Sequence, residues 1–159
     1  MTRYTRSTSS HPEIPLATRF FDLALIAVLV VYAVSAIVSC WQSPYLLALL
    51  LLPAPALLVL RLGPSALAVA VAGAVIGPLT EVACVSGGLW SYAEAGGIPL
   101  IPPWIFVIWA CFPTALWLIV RSLLGEMPSS RPGTLSLAYA LFAVLVAWGA
   151  LSFRQKVRQ

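Results

Sequence analysis

The chain has 159 residues, of which 61% are hydrophobic and only 9% charged. A soluble domain carries about 25% charged residues, so this sequence lacks the polar groups that would cover a water-facing surface. Its net charge of +4 lies on scattered arginines and one lysine, with no basic face or motif of a nucleic-acid binder.

A helix needs roughly 20 apolar residues to cross the hydrocarbon of a bilayer, which allows about five crossings here and no separate soluble domain. The expected fold is an all-α polytopic bundle. Residues 1–19 form a basic cytoplasmic tail with Arg3, Arg6, Arg19 and the sole histidine, His11. The bundle occupies 20–153, and 154–159 form a second basic tail. Asp22, beside Arg19 at the first helix start, reads as a cap-region charge.

The first span is predicted over 20–40, with Tyr32, Ser35 and Ser39 lined up as interhelical hydrogen-bonders. The second covers 45–62 and the third about 64–85. The breaks between them, WQSP at 41–44 and LGPS at 62–65, combine Pro with Gly or Ser, residues that punctuate helices. In the third span Gly73 and Gly77 make a small-xxx-small pair that admits a neighbouring helix. Glu81 follows four residues on. Positions i, i+4 and i+8 share one helix face, so the carboxylate should face protein. That side is the cheaper one, since an acidic group turned to lipid costs roughly 2.5–3.5 kcal/mol.

The loop at 86–102 follows. Gly87-Gly88 and Gly96-Gly97 loosen it, whereas Leu89, Trp90, Tyr92, Ile98, Leu100 and Ile101 are too apolar to wander in water. It is expected to fold back at headgroup depth as a partly re-entrant outer loop, with Trp90, Tyr92 and Trp104 in the interfacial aromatic belt. Glu94 reads as a solvated loop charge. The fourth span, 103–123, carries Trp109, Pro113 and Trp117 at i, i+4, i+8, with Thr114 beside the proline. Pro113 lacks an N–H and should kink the helix. After GEMPSSRPG at 125–133, a fifth span is predicted over 134–153, with Ala140, Ala143, Ala147 and Ala150 on one stripe.

Basic residues accumulate on cytoplasmic loops, which places the N-terminus in the cytoplasm and 86–102 outside, in a cell (inner) membrane. Five spans then leave Arg154, Lys156 and Arg158 outside, a conflict that four or six spans would remove. The three cysteines have no metal-like spacing, so neither a metal nor a cofactor is expected. They read as buried small hydrophobes.

Gly77-x-x-x-Glu81, Gly88-x-Trp90-x-Tyr92, Gly97-Ile98-Pro99, Pro102-Pro103-Trp104, then Trp109 and Phe112-Pro113-Thr114-Ala115-Leu116, resemble a group of small bacterial inner-membrane proteins without an assigned activity. A looser resemblance links the acid, the Gly-x-Trp-x-Tyr stretch and the proline-led helix to membrane-bound carotenoid lycopene cyclases and carotenoid hydratases. In the cyclases that proline introduces a pair of acidic residues. Here the place reads Pro102-Pro103-Trp104-Ile105-Phe106, with no carboxylate. This second resemblance implies Glu81 as a catalytic acid that protonates an alkene, with Trp90, Tyr92, Trp104, Trp109 and Thr114 around the substrate.

Three functions fit the residues, and whether the chain is an enzyme stays open. The first is a non-enzymatic protein that binds a membrane lipid, a hydrophobic ligand or a partner membrane protein, or scaffolds an assembly. The second is a lipid- or isoprenoid-modifying enzyme with Glu81 as acid. The third is a transporter component with Glu81 as an ion or proton site, which with so few helices implies a homo-oligomer.

Overall fold

The computed structural model of the protein describes residues 13–93 and 100–125. These residues are helical, with α1 at Leu16–Cys40, α2 at Pro44–Leu51, α3 at Pro53–Leu62, α4 at Ser65–Ser86 and α5 at Trp104–Leu124. With α2 and α3 taken together as Pro44–Leu62, four helices are long and apolar enough to cross a membrane. The expected fifth span at 134–153, both Gly96-Gly97 and Glu94, and the C-terminal tail lie outside the described residues.

The second span is not one helix. Pro53 and Pro55 have no N–H to return to the carbonyls one turn earlier, so the hydrogen-bond ladder fails in mid-span. The Leu52 N–H turns to the Leu49 carbonyl at 3.3 Å. The Tyr32 hydroxyl of α1 donates to the Leu50 carbonyl. The prolines deprive the Leu49 and Leu51 carbonyls of a helical N–H, and Tyr32 bonds the carbonyl between them. Tyr32 is thus the interhelical hydrogen-bonder that its register suggested.

Helix α1 starts at Leu16, which brings Arg19 into the helix rather than the preceding tail. Asp22 is not a cap-region charge, and Arg19 and Asp22 each find a partner on another helix. Arg19 donates from Nε to the Ser122 carbonyl and from Nη2 to the Leu123 carbonyl, at the α5 end where carbonyls lack helical partners and the dipole favours a cation. Asp22 is fully buried and binds the Nε of Arg61 on α3 through Oδ1. The Arg61 guanidinium also lies 5.9 Å over the Phe21 ring. A carboxylate with 0% exposure needs a charged partner more than an arginine that keeps 27%.

Chain direction puts Arg19, Arg61 and Arg121 at one end of the bundle. The Ile14 N–H bonds the Gly125 carbonyl there at 3.0 Å. The α4-to-α5 loop lies at the other end. The most extensive packing joins α4 to α5, across the two glycines. A Cβ on Gly73 would overlap the Trp109 carbonyl and stand 2.7 Å from Pro113 Cγ; one on Gly77 would overlap the Trp109 ring. Pro113 returns no N–H to the Trp109 carbonyl, and it is this carbonyl that rests against Gly73. The glycine face therefore looks at protein, as the spacing predicted.

Two outcomes are expected from thermal unfolding in detergent. Gly77→Ala should lower Tm clearly by displacing the Trp109 ring, whereas Leu67→Ala, at a position 56% exposed, should shift it little. Equal effects would contradict the α4–α5 packing. Arg61→Ala should cost about 3 kcal/mol by leaving Asp22 buried and unpaired. Asp22→Ala should cost less, because Arg61 can turn outward. The reverse order would mean that Asp22 is not paired as described.

Candidate functional site

Glu81 stands on the last turn but one of α4, half-buried. Three donors converge on its carboxylate. The Trp109 indole Nε1–H of α5 reaches Oε1 at 3.2 Å. From the loop, the Tyr92 hydroxyl reaches Oε2 at 2.7 Å and the Trp90 Nε1–H reaches the same oxygen at 3.2 Å. Trp104 joins one step out, its ring edge-on to Tyr92 with centroids 6.1 Å apart and planes at 89°.

Local backbone geometry makes the convergence possible. At the end of α4 the Gly87 N–H bonds the Ala83 carbonyl, the Gly88 N–H the Val85 carbonyl, and the Leu89 N–H returns to Cys84 at 3.1 Å. Gly88 has φ +75°, the left-handed conformation that ends helices and that glycine adopts without steric cost. That reversal sends Trp90 and Tyr92 back along the helix they have just left. Trp109 arrives from the other side because Gly77 leaves room for its ring. The chain after the loop is anchored too, with Ile101 and Pro102 buried and the Ile105 N–H on the Pro102 carbonyl at 3.1 Å.

The structure thus joins Glu81, Trp90, Tyr92 and Trp109 directly, and Trp104 through Tyr92. Thr114 it places elsewhere. That hydroxyl is buried and donates to the Ala110 and Cys111 carbonyls of its own helix, at 3.0 and 2.8 Å. Both acceptors belong to its own helix, and neither is the Trp109 carbonyl that Pro113 leaves without an N–H. Trp109 also packs edge-on against Phe112, with centroids 5.7 Å apart. Cys40, Cys84 and Cys111 are free thiols.

Burial pushes the Tyr92 phenol above its ordinary value, and its hydrogen bond to the Glu81 carboxylate adds to the shift. A buried phenolate would also stand against a carboxylate. Chemically the site is an acceptor enclosed by donors. Indole N–H groups cannot accept a hydrogen bond, so neither Trp90 nor Trp109 can serve a group that donates from the position of Glu81.

No family model, curated protein or solved structure matches the chain.

Two measurements check the site. Glu81→Ala should destabilise by about 1–3 kcal/mol through donors left unpaired. Glu81→Gln should not be silent: its amide nitrogen must meet a donor, and of the three only Tyr92 can turn to accept it. A Gln variant as stable as wild type would contradict the three-donor arrangement. The second measurement is stability against pH. Folded Tyr92 keeps its proton where the unfolded chain, with a phenol pKa of about 10, gives it up. Its contribution is therefore full below that value and lost as pH climbs above it. Wild type should lose stability more steeply there than Tyr92→Phe; parallel curves would show that Tyr92 is not held by Glu81.

Proposed function

We propose that the protein is a non-enzymatic integral membrane protein that binds a membrane lipid at headgroup depth through the aromatic platform around Glu81. One observation carries this reading. The Trp90 indole N–H is tied to Glu81, yet the residue remains 44% exposed. The ring is fixed from behind and presented outward, beside exposed Leu89 and Leu100. Aromatic residues with one polar end and one apolar face suit the boundary between headgroups and hydrocarbon. Below the platform an apolar groove of about 410 Å³ runs along Val75, Pro78, Ile101 and Phe106, which suits the chain of the same lipid. Five spans, a partly re-entrant loop at 86–102, a cytoplasmic N-terminus and an inner-membrane location complete the proposal. The gathering of Arg19, Arg61 and Arg121 at the opposite end supports that orientation.

A partner membrane protein could use the same platform. The isoprenoid-enzyme reading would need Glu81 to give a proton to an alkene, and the transporter reading would need it to take an ion. In both readings the reacting group is a carboxylate that already accepts from Trp90, Tyr92 and Trp109.

The test is a thermal shift in detergent with added phosphatidylethanolamine, phosphatidylglycerol or cardiolipin. At least one should stabilise wild type, and Trp90→Ala should lose most of that stabilisation. Equal stabilisation of both proteins would contradict the proposal. Turnover of a polyene that disappears in Glu81→Gln would replace it with the enzyme reading.

A further inference from the structure

On another face of α5 from Trp109, a cavity of about 180 Å³ lies among α1, the α2–α3 break and α5. Three alanines create it, one from each side: Ala33 of α1, Ala54 of α3 and Ala115 of α5. Leu29, Leu58 and Cys111 complete the wall, while Val30 and Phe112 stand exposed at its mouth. Leu58 is tightly packed on its far side, so the space is a feature of the fold and not slack around a loose residue. The proline break contributes directly, because α3 starts afresh at Pro53 and presents Ala54 where an unbroken helix would continue its ridge of leucines.

Depth and size identify the occupant. Leu29 lies more than about 15 Å from either end of α1 at 1.5 Å rise per residue. Ala54 and Ala115 lie near the middle of the spans Pro44–Leu62 and Trp104–Leu124, at a depth where a bilayer holds only hydrocarbon. A water molecule needs two to four polar partners, and this lining offers none. A whole helix, about 10–12 Å across with its side chains, cannot enter. The volume slightly exceeds the roughly 150 Å³ of an apolar cavity that takes up benzene, room for the last few carbons of a thin chain. Val30 and Phe112 at its mouth are both more than half exposed.

We infer that this cavity is a mid-membrane binding site for the hydrocarbon chain end of a membrane lipid, inserted between α1 and α5. The site is separate from the Glu81 platform and does not depend on what that platform binds. A bound chain supplies the contacts that the three alanines forgo, and a void without them loses dispersion energy outright.

The test reconstitutes the full chain in vesicles of phosphatidylcholine that carries a diazirine near the methyl end of one acyl chain. After illumination, residues Leu29–Ala33 and Cys111–Ala115 should be labelled several-fold more than Leu67 and Val71, which are exposed on α4. Ala33→Leu and Ala115→Leu, made separately, should each reduce cavity labelling to the α4 level and leave α4 labelling unchanged. Two independent fillings guard against one that fails to fold. Cavity labelling no higher than on α4, or unaffected by both fillings, overturns the inference. So does an efficient crosslink from Cys111 to a cysteine placed within 134–153, which would give the site to the chain's own C-terminal segment. Loss of lipid stabilisation in Trp90→Ala with cavity labelling intact is expected, since the two sites are distinct.

Discussion

The carboxylate of Glu81 is the group on which the rest of the Glu81 end depends. An acid on an apolar helix has to be satisfied by protein, because hydrocarbon will not do it. Here the satisfaction comes from three rings that reach it from two separate stretches of chain. That requirement fixes the loop after α4, sets the rotamer of Trp109 on α5 and presents Trp90 outward. The packing of α4 on α5 answers to it as well. Only glycine at position 77 lets the Trp109 ring lie close enough for its N–H to reach Oε1. The same residue's carbonyl, deprived by Pro113 of a helical partner, settles against Gly73. Two glycines, one proline and one acid thus form a single device.

The other end of the bundle solves the same problem with charge. Asp22 is as deeply buried as any leucine of the core, and Arg61 neutralises it from α3 while Arg19 closes the carbonyl end of α5. A buried ion pair gives little net stability, but either partner alone is costly. Its effect is to tie α1, α3 and α5 in one register. Between the two polar ends the helices meet through leucine, alanine and valine, and there the alanine-lined cavity arises.

Much of this was legible in the residues. The apolar runs marked the spans, and the i, i+4 spacing of Gly73, Gly77 and Glu81 marked the face that meets α5. The glycine-aromatic composition of 87–92 announced a loop that returns to the bundle. Spacing could not say which way the donors point. Trp90 and Tyr92 lie nine and eleven residues from Glu81, and only the left-handed turn at Gly88 brings them back. Thr114 was placed among the site residues, yet that hydroxyl bonds back to carbonyls of its own helix. Asp22 read as a cap-region charge because it stands near a helix start; its partner on α3 lies 39 residues away. The break at Pro53 falls inside a stretch read as one span, 45–62, and the Tyr32 hydroxyl that bonds beside it belongs to a different helix. In each case a local pattern showed that a polar group needs a partner, and tertiary packing chose which.

The Glu81 site rests on two indole N–H groups donating to one carboxylate. Nuclear magnetic resonance of the protein labelled with nitrogen-15 at its six tryptophans observes them directly. Trp90→Phe and Trp109→Phe assign the two signals. Both should lie in hydrogen-bonded positions, the Trp109 proton should exchange slowly with deuterium, and both should move together in Glu81→Ala while the Trp41 signal stays fixed. Signals of Trp90 and Trp109 that do not change when Glu81 is removed would contradict the account at its centre.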